Sequence, residues 1–224
     1  GDGEGAINIL AWPGYAENGS TDPNVDWVTP FETATGCKAN IKTFGTSDEA
    51  VSLMQGGGYD VVSASGDATL RLIYGELVQP VNTDLVPSYA DIFEGLKNKS
   101  FNSLEGQMYG VPHGRGANLL AYNPSVVSPA PTSWGAVFDA ASPYAGKITA
   151  YDSPIYIADA ALYLMKSKPE LGIKDPYELN EIQYRAALGI LRHQQPLVHR
   201  YWHDANVQVQ DFTNFSIRAI PEKL

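Results

Sequence analysis

The stretch Ile7-Asn8-Ile9-Leu10-Ala11-Trp12 is a short apolar run that Pro13-Gly14 ends, a pattern that predicts a buried strand followed by a turn. Segments with helical and strand patterns alternate after it. Helices are predicted over 23–35, 47–55 and 67–74, and strands over 38–44 and 59–62. This β-α-β-α-β-α order indicates a parallel sheet with helices on its faces.

Parallel sheets of this kind bind ligands at the carboxyl ends of their strands. The first strand ends at Trp12, and the strand 59–62 is followed by Ser63 to Asp67. We therefore expect Trp12 to Tyr15 and Ser63 to Asp67 to lie on the same rim of the sheet.

The second half of the chain repeats the alternation after a middle region, 80–110, that is rich in loop signals. Strands are predicted over 117–122, 147–151 and 197–202, and helices over 133–138, 154–168, 178–193 and from Asp204 to Phe212. The chain is thus predicted to be α/β, with a first lobe over 1–117 and a second, incomplete lobe over 118–224.

Charge and hydropathy exclude several classes of partner. The net charge is −10 and no Lys/Arg cluster occurs, so neither a nucleic acid nor an anionic membrane surface is an expected partner. No apolar run reaches the roughly 18 residues of a membrane span. The start, Gly1 to Gly5, has neither a basic nor an apolar segment, and we interpret it as a mature N-terminus whose export signal has been removed.

Several motifs, in this order, resemble spermidine/putrescine-type solute-binding proteins. The resemblance covers about residues 7 to 214. Its motifs are Ile7 to Trp12 with Tyr15, Phe31 to Gly36, Gly58 to Ser65, Tyr109 to Pro112 followed by Leu120 to Asn123, Thr132 to Trp134, and Tyr144 to Ile148.

The resemblance implies a periplasmic-binding-protein-like fold of two lobes with mixed sheets joined by a hinge. It also implies an exported, periplasmic, monomeric protein that has no cofactor and passes a small-molecule ligand to the permease of an ABC transporter. Members of the family return to the first lobe after the second. The stretch Phe215 to Leu224 does not continue the family pattern, so the C-terminal part is expected to be missing.

The ligand expected from the residues is smaller and less cationic than a polyamine. Asp152 is kept where the family resemblance implies a carboxylate, but Ile155 stands where a second acid is expected, and Gly66 stands where an aromatic residue could stand. Arg115, between Gly114 and Gly116 on the expected hinge strand, adds a cation. A guanidinium grips carboxylate with two hydrogen bonds, which suggests an ω-amino acid such as γ-aminobutyrate (GABA).

Each candidate ligand-binding residue has an expected role. Arg115 holds the carboxylate and Asp152 pairs with the ammonium group. The ring faces for the ammonium group come from Trp12, Tyr15 and Trp202, and the hydrogen bonds from Ser63 and Ser65. The ligand is expected to bridge the lobes and favour their closed state.

Structural roles remain open for these residues. Trp12, Tyr15 and Trp202 could belong to the core, Arg115 could form a structural ion pair, and Asp152 could cap the helix that starts at Pro154. The alternative ligand is a polyamine, putrescine or spermidine. The alternative class is an enzyme on a doubly wound sheet, but the sequence has no paired nucleophile and base. His199 lies on a predicted strand, where a spacing of four to His203 does not suit a metal site, so neither a catalytic nor a metal-binding residue is predicted.

Overall fold

The computed structural model describes residues 3–203, 205–214 and 217–220. The chain divides into two compact units, Gly1–His113 and Gly114–Leu224. The boundary therefore lies just after His113, slightly before the boundary at residue 117 that the sequence predicts.

The first unit is built on a parallel sheet. Its strands are β1 (Ala6–Ala11), β2 (Lys38–Thr43) and β3 (Val61–Val62), in the order β2-β1-β3. β1 is central, pairing in parallel with β2 over its whole length and with β3 through Ile9 and Leu10. The parallel sheet is as predicted. The strand expected over 59–62 is shorter, and Val61 is 45% exposed rather than buried.

Three helices follow the strands of the first unit: α1 (Val28–Thr35), α2 (Ser47–Gly56) and α3 (Gly66–Tyr74). α1 begins later than predicted, so Pro30 falls in its first turn, where proline needs no hydrogen-bond partner and causes no kink. Gly36 ends α1 with φ 69°, a left-handed conformation that glycine adopts without strain. α2 is capped by Thr46, whose side chain accepts from the backbone N of Glu49.

Two small apolar clusters hold the first unit together. Leu10, Phe44 and Ala50 pack with Trp12 at the strand ends, and Val51, Ala68 and Leu72 join α2 to α3. The predicted loop region, 80–110, contains three short 3-10 turns and a hairpin of β4 (Ser103–Leu104) and β5 (Gln107–Met108).

The second unit has a mixed sheet. Its strands in chain order are β6 (Leu119–Tyr122), β7 (Ile148–Tyr151), β8 (Val198–Trp202) and β9 (Ile217–Ile220), and their order in the sheet is β6-β9-β7-β8. β9 pairs antiparallel with β6 and parallel with β7. Ile217–Ile220, in the stretch where the sequence does not continue the family pattern, therefore forms an inner strand of this sheet.

Four helices complete the second unit: α4 (Gly135–Phe138), α5 (Ile155–Ser167), α6 (Glu181–Gln194) and α7 (Ala205–Asn214). α5 is the apolar centre, because Ala160, Ala161 and Leu164 are fully buried in one continuous core with Ile148 of β7. The predicted cap at Asp204 lies outside the described residues.

Candidate functional site

The structure brings the predicted rim of the first unit together. Ser63 lies directly after β3, and its backbone N donates to the carbonyl of Leu10 in β1 at 2.8 Å. Trp12 directly follows β1, and its carbonyl accepts from the backbone N of Tyr15 at 3.0 Å, which closes the turn. Because β1 and β3 are parallel neighbours, Trp12 to Tyr15 and Ser63 to Ser65 lie at the same end of the sheet.

The two aromatic residues of this rim differ in exposure. Trp12 is only 4% exposed and its ring packs against Phe44, with ring centroids 4.4 Å apart, so Trp12 is a core residue in this structure. Tyr15 is half-buried and stacks on His113, with centroids 4.7 Å apart. Tyr15 therefore keeps ring surface at the rim, while a ligand role for Trp12 remains a prediction.

Ser65 and Asp67 lie where α3 begins. The side chain of Ser65 does not cap the helix, and neither the Ser63 nor the Ser65 hydroxyl makes a hydrogen bond with another described residue. Burial raises the pKa of the Asp67 carboxyl, whose Oδ1 accepts from the Ser47 hydroxyl at 3.3 Å. The Asp67 Oδ2 atom is buried without a hydrogen-bond partner.

Residue 66 is a glycine where an aromatic residue could stand, but an aromatic ring from elsewhere in the first unit lies beside it. A Cβ atom on Gly66 would lie 3.3 Å from the ring of Phe101. An aromatic ring therefore covers the start of α3, although no aromatic side chain stands at residue 66.

Two predicted ligand-binding residues of the second unit, Asp152 and Trp202, lie at the ends of neighbouring strands. Asp152 directly follows β7, and its backbone N donates to the carbonyl of Trp202, the last residue of β8, at 2.7 Å. α5 has Pro154 at its N-cap and no side-chain cap, so the alternative that Asp152 caps this helix is not realised. The Asp152 carboxylate is exposed and makes no hydrogen bond or ion pair with another described residue.

Trp202 is 4% exposed, and its ring stacks on Tyr151 within the core. Its ring is packed by protein rather than open, so its ligand role remains a prediction. Its indole Nε1 is nevertheless buried without a hydrogen-bond partner, as is Oγ of Ser153. Two polar atoms at the ends of neighbouring strands therefore have unused hydrogen-bonding capacity.

Tyr201 is a residue at this end of the sheet that the sequence does not single out. It is 39% exposed, and its pKa is raised by partial burial and then by the negative charge of Asp152. The hydroxyl end of Tyr201 therefore lies in the field of that carboxylate. An alternating strand such as 198–202 could have indicated it, because Tyr201 and Trp202 point to opposite faces.

Arg115 is exposed and lies in a segment, 111–118, without regular secondary structure. The expected hinge strand begins only at Leu119, so the placement of Arg115 on a strand is wrong. Within the described part of the chain Arg115 makes no hydrogen bond or ion pair, and the alternative of a structural ion pair is not realised there. Its guanidinium is thus available to an anion in solution.

Asp159 of α5 is a buried acidic residue that the sequence interpretation does not single out. It is 9% exposed, and its Oδ1 accepts a hydrogen bond from Nδ2 of Asn118. The signal was present in the sequence, since Asp159 is a lone acid among the alanines of an apolar helix.

The described residues contain neither a metal-ligand cluster nor a helix that could span a membrane. No group of three or more His, Cys, Asp and Glu side chains suited to a metal ion occurs in 3–203, 205–214 and 217–220. In the same ranges, no helix combines the length and the apolar character needed to cross a bilayer.

Solved structures of transport proteins share the fold. A putative spermidine/putrescine ABC transporter protein from Listeria monocytogenes matches with a TM-score of 0.71 at 20% identity, over 96% of this chain and 62% of that chain. The Tp0655 lipoprotein of Treponema pallidum matches with a TM-score of 0.70 at 18% identity, over 96% and 63%. The spermidine/putrescine substrate-binding protein of Streptococcus pneumoniae matches with a TM-score of 0.65 at 20% identity, over 96% and 61%.

These matches show a periplasmic-binding-protein-like α/β fold, of which the chain spans about three fifths of the length of the solved proteins. A family model described as bacterial extracellular solute-binding protein matches residues 26–219. That stretch includes both units and most of the chain. The chain therefore belongs to the bacterial extracellular solute-binding protein family.

Proposed function

We propose that this chain captures a small solute carrying ammonium groups, and that the solute is a polyamine such as putrescine or spermidine. The observation that carries the proposal is the Asp152 carboxylate, which is exposed and makes no ion pair with another described residue. Tyr201 lies in its field, and the Tyr151–Trp202 stack lies directly beside it at the strand ends. Carboxylates and aromatic rings are the groups that bind ammonium.

From the sequence, GABA is the first expectation and a polyamine is the alternative. Two of the solved proteins that resemble the chain are described as spermidine/putrescine transport proteins, which supports the alternative. GABA remains the second candidate because Arg115 is exposed and has no described anionic partner. An ω-amino acid has a carboxylate for such a guanidinium, whereas a polyamine has none.

Calorimetric titration with putrescine, spermidine and GABA tests the proposal. We expect putrescine or spermidine to bind, and Asp152→Asn to weaken that binding by about tenfold or more, the scale of a hydrogen bond to a charged group. Glu170→Gln is the matched control, because it removes an exposed acid of the same unit that has no described partner. Binding of GABA with no response to either polyamine would reject the polyamine in favour of the second candidate.

Membership of the family also supports an exported protein that delivers its ligand to an ABC permease. Uptake of labelled putrescine by the source cells should fall when the gene is deleted and should recover when it is restored. Unchanged uptake across a range of putrescine concentrations would contradict this part of the proposal.

A further inference from the structure

Asp159 is a buried carboxylate with one neutral partner. It lies four residues after Ile155, and therefore about 6 Å further along the axis of α5 and on the same side of the helix. Its Oδ1 accepts from the amide of Asn118, and its Oδ2 makes no hydrogen bond with another described residue. No Lys, Arg or His of the described chain pairs with it.

This arrangement is unfavourable for a carboxylate that stays ionised. Burial raises the pKa of Asp159 to about 6, and the hydrogen bond from Asn118 offsets only part of the effect. At neutral pH the side chain is still charged, so folding removes a charge from water without supplying a cation. An ionisable group held at such a disadvantage is more common at functional sites than elsewhere.

Aromatic residues connect Asp159 electrostatically to the exposed Asp152. The pKa of Tyr156 is raised chiefly by burial and further by the charges of Asp159 and Tyr201. The pKa of Tyr201 is in turn raised by Asp152. Along the chain, Asp152 precedes the first turn of α5 and Asp159 lies in its second turn, and Tyr156 between them belongs to the same apolar core as Trp202.

The same neighbourhood contains unused polar capacity. The Trp202 side chain is 4% exposed, and its Nε1 has no hydrogen-bond partner. Ser153 Oγ, directly after Asp152, is also buried without one. Buried polar atoms of this kind are few in native proteins, and a bound solute is one way of satisfying them.

We infer that Asp159 is a second ammonium-recognising carboxylate, which selects solutes with two ammonium groups over those with one ammonium and one carboxylate group. The inference rests on the proposed function and makes it more specific. Ile155 occupies the place where the sequence leads one to expect the second acid, and Asp159 supplies that acid one helical turn later. A diammonium solute can pair with both Asp152 and Asp159, whereas the carboxylate of GABA would be repelled by whichever acid it approached.

The test uses Asp159→Asn, which keeps the shape and an acceptor for Asn118 but removes the charge. Putrescine and GABA are titrated calorimetrically at pH 7.5 into the full chain and into its Asp159→Asn and Glu170→Gln variants, and thermal unfolding is followed in parallel. We expect Asp159→Asn to weaken putrescine binding at least tenfold without lowering the melting temperature. Glu170→Gln should stay within threefold of the parent.

The outcomes separate this inference from the proposed function. If the parent binds putrescine and Asp159→Asn binds it equally well, the role of Asp159 is wrong and the proposed function stands. If Asp159→Asn lowers the melting temperature together with the affinity, the effect belongs to the local packing and not to the charge, which also overturns the inference. If the parent binds neither putrescine nor spermidine, the proposed function fails and the assignment of Asp159 fails with it.

Discussion

The rings of Tyr151 and Trp202 stack with centroids 4.7 Å apart and planes inclined by 29°. The two residues are also directly paired in the parallel register of β7 and β8, and each is 4% exposed. The stack therefore closes the core at the end of the sheet where Asp152 emerges. Trp202 thus belongs to the core behind the candidate site, and the exposed aromatic surface at this end of the sheet belongs to Tyr201, which is 39% exposed.

Replacing Trp202 by a small residue should lower the stability of the fold, because it removes one of the two rings of this stack. We expect Trp202→Ala to lower the free energy of unfolding by about 3–5 kcal/mol, measured by urea denaturation. Trp202→Phe should lower it by less, because phenylalanine keeps a ring against Tyr151 and removes the unpartnered Nε1. Equal losses for the two substitutions would contradict the packing role of the ring.

Much of the fold can be predicted from the sequence, because its core strands have clear patterns of apolar residues. The apolar run ending at Pro13-Gly14 is β1, and the alternation over 38–44 is β2. The inner strand β9 was missed because its place in the sheet depends on pairing with β6 and β7, which are distant in the chain. β3 is shorter than the predicted strand because Tyr59 and Asp60 lie outside the paired register with β1, although the backbone N of Asp60 donates to the carbonyl of Asn8.

The candidate site can be predicted from the sequence only in part. The rule that ligands bind at strand carboxyl ends predicts that Tyr15 and Ser63 share one rim, as they do, whereas Asp152 and Trp202 follow from the family resemblance and the expected ligand. The burial of Trp12 cannot be predicted from the sequence, since no local pattern shows that Phe44 packs against it. Asp159 was missed because a helical acid is usually exposed, and its burial depends on the tertiary packing of α5.

The stability of the chain should depend on pH through Asp159. Its pKa is raised from 3.8 to about 6, so the contribution of this group to stability is complete below about pH 4 and is lost as pH rises through 6. Burial is the cause of this rise, the hydrogen bond from the neutral Asn118 amide opposes it only in part, and no positively charged side chain of the described residues pairs with Asp159. Asp159→Asn should therefore gain stability over the parent by up to about 3 kcal/mol between pH 4 and pH 7.

This pH effect is measured by urea denaturation of both proteins at several pH values. Glu170→Gln is the matched control and should show no such difference, because its side chain is exposed. A constant difference between Asp159→Asn and the parent across the range would show that the carboxyl has the same pKa in the folded and unfolded chain.

The start of α6 is stabilised by a capping box. Oδ1 of Asn180 accepts from the backbone N of Gln183, and Oε1 of Gln183 accepts from the backbone N of Asn180, both at 3.0 Å. Asn180→Ala should lower the free energy of unfolding by about 1 kcal/mol. Asn180→Asp should retain most of the stability, because it keeps the acceptor and adds a charge that the helix N-terminus favours. Chemical denaturation measures both, and a loss as large for Asp as for Ala would argue against the cap.

Arg115 separates the two candidate ligands. It is exposed and makes no ion pair within the described residues, so Arg115→Ala should change the free energy of unfolding by less than about 0.5 kcal/mol. If GABA is the ligand, the same change should weaken its binding by about 1.5–3 kcal/mol, since a charged hydrogen bond to the carboxylate is lost. Putrescine binding should stay the same or become tighter, because a nearby positive charge is removed. Calorimetry with both ligands, using Arg115→Lys to keep the charge without the fork, distinguishes these cases. Weaker putrescine binding in Arg115→Ala would exclude repulsion by Arg115 and would assign the residue to the structure of the site.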